Sequence, residues 1–256
     1  MKYLLESSKF NQIDRICQQY DIENYTLNGD GSIDVDGDVD LINRGLSELP
    51  LKFGIVSGDF YCHNNRLISL RGAPSEVGAN FHCYNNQLTS LKGAPREVPG
   101  DFYCYNNQLT SLDGAPVEVG GSFYCEYNRL TSLEGAPKEV GGSFYCYNNQ
   151  LTSLDGAPRE VGANFYCSNN RLTSLRGAPE KVGANFYCYG NQLTSLRGAP
   201  RKLGGGFYCS NNPLPQLILY NLGIIEEIIK NQEDYSIWRR DGTLDKFRFR
   251  EMMREI

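Results

Sequence analysis

The phrase Phe102-Tyr103-Cys104-Tyr105-Asn106-Asn107-Gln108-Leu109-Thr110-Ser111-Leu112 recurs, with small changes, from Phe60 to about Asn212. Its phenylalanine falls at Phe60, Phe81, Phe102, Phe123, Phe144, Phe165, Phe186 and Phe207, a step of 21 residues every time. A short fixed period predicts a solenoid, because a repeat of this size cannot bury its own apolar face and must stack on its neighbours to make a core. Length is then no guide to domain count, and the 256 residues are expected to divide into an N-terminal cap over 1–53, an eight-copy array over 54–213 and a C-terminal cap over 214–256.

Within a rung, side chains alternate along a short strand, so Phe102 and Cys104 face one side and Tyr103 and Tyr105 the other. The phenylalanine and cysteine are expected inside. Asn107 then supplies an internal hydrogen-bonding group at the turn, where an asparagine column would satisfy backbone groups left open in each rung, and Leu109 and Leu112 add core. Gly114-Ala115-Pro116 and Val119-Gly120-Gly121 lead back to the next strand. Glycine permits positive φ and proline fixes φ, so the return side is expected to be turns and extended chain without helix.

The order Phe-x-Cys-x-x-Asn-x-Leu-x-x-Leu resembles the leucine-rich-repeat consensus, with Phe and Cys in place of strand leucines. The wording Asn-Asn-Gln-Leu-Thr-Ser-Leu followed by Ala-Pro is similar to the short repeats of bacterial effectors of the YopM and IpaH type, and to repeat proteins of bacteria and their phages. The resemblance covers about Val39 to Asn212. It implies a β-rich leucine-rich-repeat solenoid or arc, with a parallel β-sheet on a concave face that binds a macromolecular partner. Two departures limit it: the period is 21 with Gly-Ala-Pro at the return, and about forty residues follow Pro213, too few for a ligase domain.

The ends read differently. Phe10, Ile13, Ile16, Cys17 and Tyr20 recur at helical spacing, with Ser7 or Ser8 as the expected cap. Ile33 to Leu41 alternates around Asp36-Gly37 and reads as a β-hairpin. Val39 and Leu41 lie 21 residues before Phe60 and Cys62, and Leu46 and Leu49 fall in register with Leu67 and Leu70, so this segment doubles as a degenerate first rung that shields the end of the stack. Asn28 to Asp34 imitates the middle of a calcium loop, but Thr26 and Gly37 stand where that loop needs its leading Asp and bidentate Glu, so an acidic turn is expected. From Leu214 the pattern turns helical, with Gly223 dividing it and a last helix starting at Leu244 after a Thr243 cap.

Eight of nine cysteines (62, 83, 104, 125, 146, 167, 188 and 209) occupy one slot of the repeat and only Cys17 lies outside it. A repeated slot means a stacked column of small buried thiols, unlike the irregular spacing of secreted disulfide frameworks. With no Cys-x-x-Cys pair, and His63 and His82 as the only histidines, neither metal nor cofactor is expected. The apolar run Tyr3-Leu4-Leu5 stops at Glu6 and no stretch approaches a membrane span, which points to the cytoplasm (of the host, for a phage protein) and away from membranes. A net charge of -5 gives no footprint for a polyanion binder.

What the array would display is aromatic. The position between Phe and Cys holds Tyr61, His82, Tyr103, Tyr124, Tyr145, Tyr166, Tyr187 and Tyr208; the position after Cys holds His63, Tyr84, Tyr105, Glu126, Tyr147, Ser168, Tyr189 and Ser210. Rungs about 4.8 Å apart would make the first a continuous ribbon and the second a broken one beside it. Such a face is either a self-satisfying ladder or a protein-binding patch. Binding residues are therefore expected at Tyr61, His82, Tyr84, Tyr103, Tyr105, Tyr124, Glu126, Tyr145, Tyr147, Tyr166, Tyr187, Tyr189 and Tyr208. His63 and His82, diagonal neighbours about 7 Å apart, are the best alternative for metal or proton chemistry, but an open repetitive face offers no enclosed site for catalysis. Three readings follow: a non-catalytic protein-binding scaffold, whose phage-like kin would imply antagonism of a host enzyme or defence protein; a single-stranded nucleic-acid binder that stacks bases on the rings; or a self-assembling array. The acidic balance and the absence of Lys and Arg from both columns count against the second. Charge on the return side is graded, with three basic and seven acidic residues from Asp113 to Glu160, then six basic and one acidic from Arg171 to Lys202.

Overall fold

A computed structural model describes residues 2–256, with side chains from Asn11 onward. The chain is a parallel β-solenoid with 21-residue rungs and short helices at its ends. Each rung contributes a two-residue strand, Phe60–Tyr61 through Phe207–Tyr208, to a nine-stranded parallel sheet whose first member is Val39–Asp40. The register is that of the sequence repeat: Val39 pairs with Phe60, Phe102 with Phe123, Tyr187 with Tyr208. Two-residue strands have little stability alone, and the stack supplies it.

The core is a set of columns. Phe60 through Phe186 are fully buried and stack face to face at 5.2–5.4 Å between ring centroids. The repeat cysteines are buried free thiols beside them, raised by burial, so the column is apolar filler held in its unreactive form. With two leucines and a valine per rung, such as Leu109, Leu112 and Val119, burial contributes on the order of 10 kcal/mol gross for each turn of the solenoid.

Asn107 shows how the turn is held. Its Nδ2 donates to the carbonyls of Cys83, Cys104 and Tyr105, and its Oδ1 accepts from the Leu88 amide. The same set recurs from Asn65 to Asn212, so the column stitches each rung to the one before. Gly114 closes the turn after Leu112 at φ +88, where an added Cβ would meet the Lys92 amide nitrogen at 2.4 Å; only glycine fits.

The return side is extended and non-helical, and it carries a second parallel ladder that sequence periodicity did not reveal: six two-residue strands from Glu97–Val98 to Lys202–Leu203. Their valines face the core and their charged residues face out.

The ends bring corrections. The N-terminal helix α1 (Lys2–Gln19) runs straight through Ser7 and Ser8, so neither caps it; Phe10's side chain lies outside those described. Ile13, Ile16, Cys17 and Tyr20 do pack on the core. The hairpin lies upstream of the expected one. Strands β1 (Tyr25–Leu27) and β2 (Ile33–Val35) pair antiparallel across the turn at Asn28–Gly31, which is the calcium-loop mimic, closed by Asn28 on Asp34 and by Asp30 on Ser32 and Lys52. Asp36-Gly37 is a bend from β2 to strand β3 (Val39–Asp40), and both strands run parallel to their next-rung neighbours, β2 against β4 (Phe53–Val56). The degenerate first rung is real; the hairpin precedes it. At the other end, α2 (Gln216–Leu219) and α3 (Ile225–Asn231) are separated by a 3-10 turn around Gly223. Glu226 of α3 accepts from the Phe207 amide on the last strand, covering the sheet edge. The last helix, α4 (Lys246–Glu255), is capped by Asp245, which accepts from the Phe247 and Arg248 amides, and not by Thr243.

Candidate functional site

Parallel pairing in register puts like residues side by side, so the outward position of every strand becomes a column. Tyr61, His82, Tyr103, Tyr124, Tyr145, Tyr166, Tyr187 and Tyr208 form one unbroken stack, with centroids 4.5–4.7 Å apart and planes within 25° of parallel. Each ring covers its neighbour, so the column is half-buried until Tyr208, 48% exposed at the end. The ribbon expected as an open surface therefore shows mainly ring edges and hydroxyls.

Carboxylates border its N-terminal half. Tyr61 donates to Asp59 and Tyr103 to Asp101, each at 2.7 Å. The bond to Asp59, aided by burial, pushes the Tyr61 hydroxyl up to about 12. Asp38, Asp59, Asn80 and Asp101 form a further column in which each side-chain oxygen accepts the backbone amide one rung on, so these carboxylates hold the strands together as well as rimming the face.

The second column is built in pieces. His63, Tyr84 and Tyr105 stack at 4.1 and 4.4 Å. Glu126 then replaces an aromatic ring, Tyr147 follows, Ser168 replaces another, and Tyr189 follows that. Glu126 is 6% exposed and Ser168 1% exposed, and Glu126 Oε2 and Ser168 Oγ have no hydrogen-bond partner. Burial pushes the Glu126 carboxyl up to about 7. Tyr127, beside it, is 49% exposed, meets Tyr147 edge-on at 5.4 Å and sits at φ +53, where other rungs place Asn or Gly190.

His63 and His82 lie 5.8 Å apart, closer than a diagonal pair in a flat sheet, because the rungs stack ring on ring. Burial, then the neighbouring His63, pushes His82 down to about 4, opposed by Asp59 and Asp101, and burial lowers His63 as well. His63 Nδ1 and His82 Nε2 are buried without partners. Among the described residues, no three His, Cys, Asp or Glu side chains come together as a metal would require.

All thirteen expected site residues lie on this one face. Sequence reasoning missed a coupling within the second column. Every rung with tyrosine there has glutamine three residues on (Tyr84/Gln87, Tyr105/Gln108, Tyr147/Gln150, Tyr189/Gln192), whereas His63, Glu126 and Ser168 are followed by Arg66, Arg129 and Arg171. The breaks at Glu126 and Ser168 are thus coordinated two-residue changes, whereas Ser210, in the last rung, is followed by Pro213.

No protein-family model matches the chain, and no curated protein does. Among solved structures, YopM from Yersinia enterocolitica WA-314 matches at 23% identity with a TM-score of 0.49, over 70% of this chain and 44% of that one. The chain spans less than half the length of that structure. Its own parallel ladder, 21-residue rung and inward asparagine column make it a parallel β-solenoid.

Proposed function

We propose that the strand face is a non-catalytic binding surface for a protein partner. One observation carries this reading: the first aromatic column is unbroken over eight rungs, while the column beside it changes chemistry at Glu126 and Ser168 and leaves buried polar atoms unpaired there. A ladder selected for stability alone gains nothing from orphaned polar groups. Amphipathic rings with hydroxyl edges are the usual anchors of protein interfaces, and a face with acidic borders and no Lys or Arg in its columns suits a protein better than a polyanion. The unpaired thiols fit a reducing compartment such as the cytoplasm. Antagonism of a host enzyme or defence protein is the finer version, drawn from the sequence resemblance.

The test is capture from host lysate by wild type, by Tyr103→Ala/Tyr145→Ala, and by Val119→Ala, which loosens the core from the opposite ladder. Each lost ring costs about 1 kcal/mol of stacking, so the valine variant serves as the control for stability. The tyrosine variant should lose the captured protein and the valine variant keep it; retention by the tyrosine variant removes the face as the site. Oligonucleotide binding with a steep salt dependence would instead establish nucleic-acid binding.

A further inference from the structure

Glu126 is the one acid in the second column, and it lies between two rings. Tyr105 stands one rung before it and Tyr147 one rung after. Both hydroxyls sense its charge: burial first, then neighbouring groups including Glu126, push Tyr105 up to about 12 and Tyr147 higher. The carboxyl is buried, its Oε2 has no donor, and no cation contributes to its environment. Arg129, three residues on, is exposed and forms no ion pair among the described residues. A buried carboxylate is tolerated when a cation and hydrogen bonds compensate it; this chain supplies no cation, and the one hydrogen bond comes from Glu126's own backbone amide.

We infer that Glu126, with Tyr105 and Tyr147 on either side, receives the guanidinium of an arginine presented by the protein partner. The inference rests on the protein-binding reading of the face and names the chemistry of its partner. Tyr105 and Tyr147 are two rungs apart, about 9.6 Å at the spacing of a parallel ladder. That is the room taken by one planar group stacked at the ladder's own interval, and tyrosine side chains reach further out than glutamate. A guanidinium entering there has a ring face on each side and a carboxylate at its base, which combines cation–π attraction with a charge-assisted hydrogen bond. Arginine suits the slot better than lysine because it is flat and weakly hydrated. Asp40, Asp59 and Asp101, on earlier rungs of the same sheet, complement a basic partner. The carboxyl is now covered, and the half-exposed Tyr127 ring is the side chain placed to turn aside. The left-handed backbone there is common to all the rungs, but this rung alone places on it a residue type that disfavours it.

The test uses the whole protein and a small probe, N-acetyl-arginine amide, with the neutral isostere N-acetyl-citrulline amide as control. With the Glu126 carboxyl and tyrosine rings observed by NMR, the arginine probe should shift the Tyr105 and Tyr147 resonances saturably and lower the apparent Glu126 pKa by about one unit, as a neighbouring cation does; the citrulline probe should do neither. Glu126→Gln, an isosteric change, should weaken arginine binding about tenfold, the loss expected for one charge-assisted bond. Arg129→Gln, which installs the residue found on tyrosine rungs, should leave probe binding intact or tighter. Equal responses to the two probes, unchanged binding by Glu126→Gln, or no response to arginine overturns the assignment. Because the natural partner is absent, ladder-dependent capture with a silent probe would overturn this inference alone, whereas failed capture would overturn the protein-binding reading.

Discussion

Two asparagines stand side by side in most rungs and do opposite work. Asn106 is exposed at φ +50, a backbone conformation that asparagine and glycine tolerate, and Gly190 replaces it without disturbing its rung. Asn107 is buried and has all its polar atoms bonded. Glu126 is the contrasting case, a buried side chain whose polar atoms are not all paired, and its consequence is a pH dependence. Its carboxyl titrates near 7 in the folded chain, against about 4.3 when unfolded. The folded state therefore holds the extra proton across that window, so stability is greatest at the acidic side, falls as pH rises from about 4.3 to 7, and levels off above. Full deprotonation costs up to about 3.5 kcal/mol. Glu126→Gln should remove this fall, so urea unfolding should show the variant gaining on wild type by a few kcal/mol between pH 5 and pH 8; a pH-independent difference would mean the carboxyl is not buried in solution.

At the scale of the element, the strand, its turn and the asparagine column were legible because each repeats in register eight times, and eight copies of one residue in one slot leave little choice of role. Where an element occurs once, sequence chemistry was ambiguous. Asn28–Gly31 and Asp36-Gly37 both have turn composition, and only the pairing of Tyr25 with Val35 decides which one folds the hairpin. Thr243 and Asp245 are both good caps; Asp245 is used because Thr243 is engaged with Asp241. The return ladder was hidden for another reason: a Glu-Val pair is too short to show alternation, so its 21-residue recurrence did not mark it as a strand. The orphaned groups at Glu126 and Ser168 depend on which rings cover them, which no periodicity reports. The column that was legible also gives a sharp expectation. Asn107→Leu keeps volume but strips donors and an acceptor from buried backbone groups of two rungs, and should cost about 3 kcal/mol in chemical denaturation. Asn106→Gly, one residue away, should stay within about 0.5 kcal/mol of wild type; equal effects would mean the inner column does not stitch the rungs.

For the whole molecule, the decisive property is that each rung meets only its neighbours, so stability is a sum of rung terms and interfaces between two end caps. The N-terminal hairpin and degenerate rung close one end, and Glu226 with the C-terminal helices closes the other. The array between them should therefore be shortened without penalty to its architecture, provided the cut respects the register. Excising Phe144 through Asn164, one 21-residue rung, joins Ser143 to Phe165 and leaves every column continuous. That variant should unfold in a single transition, with its urea m-value lower by roughly one-twelfth, since m follows the surface exposed on unfolding and one rung is about that share of the chain. Excising 144–163 instead shifts everything downstream by one position relative to the rungs before it. At the joint, Asn164 then falls where Phe belongs, Phe165 where Tyr belongs and Tyr166 in the thiol slot, because side chains alternate along a strand. The 20-residue deletion should split the transition in two or abolish folding. If both deletions unfold alike, the rungs are not the units of stability, and the columns of Phe, Asn and Tyr would be a consequence of the fold and not its cause.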